Sequence, residues 1–181
     1  MISIDGGTGL VTGGTLKSSG SVIQVQQGGS NADSSSSVAS QATYDTGIQV
    51  SITPSSALNK ILIIATISGT TSNGINNFGM ALQKKTGSGS FANITEANGE
   101  VEGTRFATMS GAYGVSVYTC YGVHFNYMDT AGSTETLIYR GVYFNSSSST
   151  RTVYVNRSHT DTDSYQYPRG SSWIQALEIV A

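Results

Sequence analysis

Charged side chains are scarce in this sequence of 181 residues: Asp, Glu, Lys and Arg make up only 11% of it, and the formal net charge is -2. The nine Lys and Arg are scattered along the chain, whereas a nucleic-acid-binding domain normally gathers them into a basic patch. Nucleic acid is therefore not an expected partner. The polar surface must consist of Ser, Thr, Asn, Gln and the 22 Gly, a composition that recurs in extracellular fibres, adhesins and virus particles.

Cysteine and long apolar runs are scarce as well. Cys120 is the single cysteine, which excludes an internal disulfide framework, and its apolar surroundings predict a small buried hydrophobe. No window approaches the length of a membrane-spanning helix, so membrane insertion is not expected. The first residues contain neither a basic region nor an apolar core of signal-peptide length. This predicts synthesis in the cytoplasm without a secretory signal.

The clearest strand signals lie in residues 45–68. Ile48, Val50 and Ile52 alternate with polar residues, which predicts a strand with one buried face. Residues 61–67 are a nearly unbroken apolar run, typical of a strand covered on both faces. Pro54 is expected to end the first strand because it has no backbone N–H to donate. Two such strands joined by a short polar turn predict the start of an antiparallel β-sandwich.

Further strands recur with turn signals about every ten residues. They are predicted at residues 21–27, 76–86, 91–95, 113–127, 135–145, 151–157 and 173–180. Surface loops are predicted at residues 28–41, 70–77 and 158–171. The pattern favours one all-β domain over residues 21–181, an antiparallel β-sandwich or jelly roll. Residues 1–20, rich in glycine, are predicted to form an extended N-terminal arm.

No sequence pattern predicts a catalytic centre. His124 lies in the middle of a predicted strand with no nucleophile and orienting acid near it, so a core or interface histidine bonded to a hydroxyl is expected. No GxSxG string occurs around any serine. The one acidic cluster, Glu96, Glu100 and Glu102, lies in a predicted loop and gives only weak support for sugar cleavage.

The alternating residues His159, Asp161 and Asp163 would share one face of an extended strand. Carboxylates are the ligands that calcium prefers, but this spacing matches neither a calcium loop nor a zinc motif. The aspartates are therefore expected to be solvated, and no metal or other cofactor is predicted.

Three segments, in this order, resemble a known family of modules. They read DTGIQVSITPSSALNKILI, YMDTAGSTETLIYRGVYFN and TVYVNRSHTDTDSYQYPRGSSWIQALEI. They resemble the C-terminal modules of tail-fibre proteins, and small virion proteins, of tailed phages from aquatic hosts, cyanobacterial phages among them. The resemblance covers residues 21–181. It implies a jelly roll of the C1q or tumour-necrosis-factor type, a homotrimer, and display on a virion that is assembled in the host cytoplasm and released by lysis.

The resemblance leaves two functions of different class open. The first is a tail-fibre head, without the long shaft of the fibre pattern, whose loops bind a host-surface glycan. The second is a capsid decoration, or cement, protein that stabilises the head lattice. A glycan-cleaving enzyme of the tailspike type is a distant third, and the expectation is a protein without enzymatic activity.

Aromatic and basic residues near the last loop are the predicted contacts with a receptor or partner. Tyr and Trp couple a large flat apolar area to a hydrogen-bonding group, which suits carbohydrate stacking and subunit interfaces. The predicted contact residues are Tyr165, Tyr167, Arg157, Arg169 and Trp173. The arm is predicted to attach the protein to other virion proteins, in the tail or the capsid, through its isolated apolar residues Ile2, Ile4, Leu10, Val11 and Leu16.

Overall fold

The computed structural model describes residues 3–4, 11–12, 18–72, 78–103, 105–112 and 118–181. Within these ranges the chain forms thirteen strands and no helix, which confirms the predicted all-β class. None of these segments is a helix long and apolar enough to cross a membrane. The strands are β1 (Ser3–Ile4), β2 (Val11–Thr12), β3 (Val22–Ser30), β4 (Ser34–Val38), β5 (Thr43–Ile52), β6 (Lys60–Thr71), β7 (Phe78–Thr86), β8 (Ala92–Asn93), β9 (Ser110–Ala112), β10 (Tyr121–Thr130), β11 (Leu137–Phe144), β12 (Arg151–Val155) and β13 (Ser172–Ile179).

The larger of two main antiparallel sheets is built around β6. One edge of β6 pairs with β10 over residues 60–69. The other edge pairs with β13 over residues 60–66 and with β12 over residues 69–71, so β12 and β13 lie end to end. In the same way β3 and β4 lie end to end against β13 and β12. The sheet is therefore four strands wide, and its third and fourth positions are each shared by two strands that lie end to end.

The smaller sheet has the order β5, β11, β7 and β8, with β9 also paired to β7. The register of β11 against β5 shifts between Arg140 and Val142. At the intervening Gly141, a Cβ atom would lie 2.1 Å from Cδ1 of Ile67 in the opposite sheet. A side chain at this position would displace the end of the Ile67 side chain, so glycine lets Ile67 pack against the backbone of β11.

The hydrophobic core lies between the inner faces of the two sheets. The alternation predicted for β5 is confirmed, because Ile48, Val50 and Ile52 are buried and the residues between them are exposed. Large side chains from β6, β7 and β11 fill the rest of this layer: Ile61, Ile63, Ile67, Phe78, Met80, Leu82, Leu137, Tyr139 and Tyr143. The sandwich is therefore held by one continuous apolar layer.

Two sequence expectations about strands are wrong. Residues 61–67 are not covered on both faces, since Leu62, Ile64 and Thr66 are partly exposed while their neighbours are buried. Residues 28–41 are not a loop throughout, because β3 continues to Ser30 and the serine-rich β4 pairs with β12. Backbone hydrogen bonds from a neighbouring strand hold such a polar segment in a sheet without help from its side chains.

The predicted strand at 113–127 corresponds to β10, which begins at Tyr121 and continues to Thr130. Residues 113–117 lie outside the described residues. β10 has one buried face: Val123 and Phe125 are buried, and His124 between them is exposed. His124 is exposed rather than in the core, and its Nδ1 lies 2.9 Å from the hydroxyl of Thr66, as expected for a histidine bonded to a neighbouring hydroxyl. Cys120 precedes the strand and is half-buried.

The predicted arm is described only in part. β1 pairs with β2 in a two-stranded antiparallel sheet, an element that the sequence did not indicate. Ile2, Leu10 and Leu16 lie outside the described residues. Towards the domain, the amide of Gly20 donates to the carbonyl of Val180. The chain therefore enters the sandwich beside its C-terminal strand.

Candidate partner-binding loop

Residues 156–171, called the closing loop below, leave the larger sheet between two strands that share a single edge. Val155 pairs with Gly69, and Trp173 pairs with Thr66, so only two residues of β6 separate the start of the loop from its end. The loop is thus an insertion into an otherwise continuous ladder. Its two ends are fixed by the sheet.

Asn156 and Ser172 hold the two ends of the closing loop together. Asn156 is fully buried with φ 63°, a left-handed conformation that asparagine tolerates better than most residues. Its Nδ2 donates to the carbonyls of Ser30 and Ala32 at 2.8 Å, and its Oδ1 accepts from the Ser172 hydroxyl at 2.5 Å. The backbone amide of Ser68 donates to the same hydroxyl oxygen. This network ties the loop to the gap between β3 and β4.

Two arginines and two aspartates form an ion-pair network across the closing loop. Arg169 pairs with Asp33 at 2.5 Å and donates to both carboxylate oxygens of Asp161 at 2.8 Å. Arg157 pairs with Asp161 at 3.0 Å, and its Nε lies 3.5 Å from Asp33. Hydrogen bonding to Asp33, together with the charges of Asp161 and Asp33, raises the pKa of Arg169 above its ordinary value. The network is locally neutral, and it joins the loop to the segment between β3 and β4.

The structure brings some of the predicted contact residues together and separates others. Arg157 and Arg169 are adjacent, but their guanidinium groups are engaged within the chain. Tyr165 is 95% exposed, and the Tyr167 ring lies 5.6 Å from that of Tyr118. Trp173 lies in β13, outside the loop, with its side chain on the side of the larger sheet that is turned away from the core. Tyr165 is therefore the predicted contact residue that is most accessible to another molecule.

The HTDTD segment does not gather its side chains as an extended strand would. Asp161 faces two guanidinium groups, and the His159 ring packs 5.2 Å from that of Tyr154. Asp163 is exposed. Across the described ranges, no group of three His, Cys, Asp or Glu side chains is placed to hold a metal ion.

A cleft of about 320 Å³ adjoins the start of the closing loop. Its lining is polar and apolar in about equal parts and comes from three segments: Ser30, Ala32, Asp33, Ser34, Tyr44, Asp45, Thr46, Gly47, Ile48, Val155 and Asn156. Both of its carboxylates already accept from arginine, Asp33 from Arg169 and Asp45 from Arg140. Hydroxyl, amide and carboxylate groups in this arrangement suit a ligand rich in hydroxyl groups.

Sequence reasoning missed Asp33 and Asn156, which position the closing loop. Asp33 was placed in a featureless polar loop, although it is the one charged residue in residues 18–44. A lone carboxylate in a long neutral stretch was the available signal for an ion pair. Asn156 gave no signal, because its role depends on the hydrogen bond that its side-chain amide donates to the carbonyl of Ser30, 126 residues away.

Comparison with known proteins assigns no family to the chain. No protein-family model matches it, and no curated protein matches it.

Proposed function

We propose that this protein is a non-enzymatic structural protein on the exterior of a bacteriophage virion, and that its β-sandwich is a tail-fibre-type head that binds a host-surface glycan. The observation that carries the proposal is the closing loop, which is fixed at both ends, exposes Tyr165 and adjoins a cleft. The resemblance of residues 21–181 to phage fibre modules points the same way.

The physical case for a glycan is the combination of a fixed loop with neutral polar chemistry. A binding loop that is already ordered loses little conformational entropy when it binds. Hydroxyl-rich ligands are recognised by groups that donate and accept hydrogen bonds, which the hydroxyls of Ser30, Ser34 and Tyr44 provide in the cleft. Tyr165 adds a flat ring on which a sugar can stack.

The carboxylates of the cleft favour binding over cleavage. Glycoside hydrolysis needs one carboxylic acid that protonates the leaving group and a second carboxylate beside it. Asp33 and Asp45 each accept a hydrogen bond from an arginine, so both are engaged as charged acceptors. The proposal therefore contains no catalytic step.

Capsid decoration is the alternative form of this proposal. In that case residues 1–20 would lie on capsid subunits and the sandwich would stabilise the head lattice. The predicted homotrimer stays a prediction in both cases. Copy number separates the two, because only the head lattice offers as many equivalent sites as there are capsid subunits.

Quantitative mass spectrometry of purified virions tests the location. A copy number many times below that of the major capsid protein is expected for a fibre-type head. A number close to that of the capsid protein would favour decoration, and absence of the protein from virions would overturn the proposal.

Binding of the purified, fluorescently labelled protein to host cells tests the ligand class. We expect binding that periodate treatment of the cells abolishes, and that Tyr165→Ala weakens by about tenfold or more. Leu58→Ala is the matched control, because Leu58 is also exposed but lies at the start of β6, away from the closing loop. Binding that survives periodate, or that both variants weaken equally, would contradict a glycan site at this loop.

A further inference from the structure

The larger sheet carries a row of apolar side chains on the face turned away from the core. The register places these four side chains next to one another across β10, β6, β13 and β3: Met128, Leu62, Leu177 and Val25. The neighbouring residues along β6 and β13, such as Ile63 and Ala176, are fully buried in the core. Since successive side chains of a strand point to opposite faces, the apolar row points away from the core. Val25 is 55% exposed and Met128 is 47% exposed. This outward surface is called the outer face below.

The rows beside the apolar row contain no carboxylate. Towards the closing loop they read Asn126, Ile64, Gln175 and Gln27, and then His124, Thr66, Trp173 and Gly29. At the opposite end the row reads Thr130, Lys60, Ile179 and Val22, and its one cation is Lys60. The outer face is four strands wide, with about 4.8 Å between strands, and seven residues long, with a rise of about 3.3 Å per residue. Its flat area is therefore roughly 400 Å².

The smaller sheet shows what a solvent-facing surface looks like in the same molecule. Its outward residues include Gln49, Arg140 and Gln83 in one row, and Arg140 forms an ion pair with Asp45. Single exposed apolar residues are normal in proteins, whereas contiguous apolar patches mark interaction sites. The contrast between the two surfaces indicates that the outer face of the larger sheet contacts another molecule.

We propose that the outer face is a contact between two copies of this chain, related by a twofold axis that runs along the strands. Sheets that pack face to face keep their strands within about 30° of each other. A twofold axis parallel to the strands places each row of one copy against the same row of the partner, with the order of the four strands reversed. The apolar row then pairs Leu62 with the partner's Leu177, and Val25 with the partner's Met128. An axis across the strands at the centre of these four rows would instead place the apolar row on the row that contains Asn126, Gln175 and Gln27.

The other rows meet their own reversed copies without bringing like charges together. Gln27 meets the partner's Asn126, so amide faces amide, while Ile64 meets the partner's Gln175. Gly29, which has no side chain, meets the partner's His124, so the smallest residue faces a large one. Lys60, at one end of the outer face, meets the partner's Ile179, so the two cations do not face each other. A twofold contact requires a surface that fits its own copy, and the apolar row meets that requirement most fully.

The size of the outer face sets the expected strength. A standard stable interface buries about 800 Å² on each partner, so a flat patch of roughly 400 Å² is at the small end. We therefore expect a dissociation constant in the micromolar range. This contact does not depend on the proposed glycan site. It predicts an assembly with an even number of copies, whereas the resemblance to phage modules implies a trimer.

Sedimentation equilibrium of the full-length chain, from about one to a few hundred micromolar, tests the contact. Dimers or larger even assemblies are expected for the wild type. Val25→Glu and Met128→Lys should each weaken association about tenfold or more, because each places an unpaired charge against an apolar side chain. Ser51→Glu, on the outward side of β5, is the control and should leave association unchanged.

The double variant V25E/M128K tests the twofold arrangement itself. The two positions lie three strands apart within one chain, too far for a direct ion pair, but they face each other across the proposed axis. Association of the double variant should therefore recover towards the wild-type value. A monomeric or trimeric wild type, single variants that associate normally, or a double variant without recovery would overturn the proposal. Both positions are exposed, so folding is expected to be preserved and is checked by circular dichroism.

Discussion

Two buried tyrosines of β11 occupy similar positions but have different hydrogen-bond partners. The Tyr139 hydroxyl donates to Asp129 at 2.7 Å, and Asp129 also pairs with Lys84 at 2.7 Å. Burial, followed by the hydrogen bond to Asp129, raises the pKa of Tyr139. The Tyr143 hydroxyl has no hydrogen-bond partner in the part of the chain that the structure describes, and burial raises its pKa to about 12. The pair therefore separates the effect of a hydrogen-bonded buried hydroxyl from that of a buried hydroxyl without a partner.

Phenylalanine substitutions at these two positions should have different costs. Tyr139→Phe leaves Asp129 without one of its donors, so we expect the free energy of unfolding to fall by about 1–3 kcal/mol. Tyr143→Phe removes a buried hydroxyl that lacks a partner, so a change within about 0.5 kcal/mol, or a small gain, is expected. Urea unfolding of both variants provides the measurement. Equal losses would show that the hydrogen bond from Tyr139 to Asp129 adds no stability beyond that of a buried hydroxyl without a partner.

At the scale of elements, the alternation of apolar residues predicted β5 and the faces of β10 because each has one face on the core. Composition failed for β4, which consists of four serines and a valine and is held by backbone pairing with β12. It also failed for β6, because an apolar run does not show whether its second face is covered by the same chain or by another molecule. Strands that pair across more than 100 residues of sequence, as β4 and β12 do, leave no pattern in the local sequence that would predict the pairing.

The closing loop is an element whose geometry depends on a single residue, Asn156. Its side chain makes three hydrogen bonds, and its backbone has a positive φ. Asn156→Gly keeps that backbone conformation accessible but removes the bonds, whereas Asn156→Ala removes the bonds and adds backbone strain. We expect both variants to lower the free energy of unfolding by a few kcal/mol, with Asn156→Ala the more costly by about 1 kcal/mol.

Limited proteolysis, read together with urea unfolding, locates the effect of these variants. Cleavage within residues 156–171 should become faster in both, because the loop loses the hydrogen bonds of Asn156 to the segment between β3 and β4 and keeps only the ion pairs with Asp33. Ser148→Ala, in an exposed turn after β11, is the control and should leave the cleavage rate unchanged. If alanine and glycine at 156 behaved alike, backbone strain would make no contribution at this position.

At the scale of the whole molecule, one carboxylate joins the last strand to the connection between the two sheets. Glu178 of β13 is only 2% exposed, and its Oε1 accepts from the Ser55 amide, the Ser55 hydroxyl and the Asn59 amide at 2.7–2.8 Å. These donors belong to the turn that links β5 of the smaller sheet to β6 of the larger one. The sequence resemblance included both the SITPSS turn and the closing strand, and the structure shows that they bind each other. Their contact could not be read from the sequence, since 123 residues separate them.

Glu178 should therefore make the stability of the whole domain depend on pH. Burial acts to raise the pKa of Glu178, but hydrogen bonds from Asn59 and Ser55 outweigh it, so the pKa is lowered in the folded state. An unfolded glutamate has a pKa of about 4.3. The stabilisation is thus fully present above about pH 4.3 and is lost as the pH falls towards the lower folded pKa, because only the unfolded state takes up the proton in that window.

Glu178→Gln removes the titrating group and keeps the shape of the side chain. We expect the variant to be less stable than the wild type at pH 7, because hydrogen bonds to a charged acceptor are stronger than those to an amide. The difference in unfolding free energy should shrink as urea titrations are repeated down to about pH 3. Glu100→Gln is the control, because Glu100 is an exposed carboxylate outside this corner, and its difference from the wild type should be smaller and change less with pH. A difference at Glu178 that stayed constant with pH would mean that folding does not lower the pKa of its carboxyl group, and that the turn between the sheets does not depend on its charge.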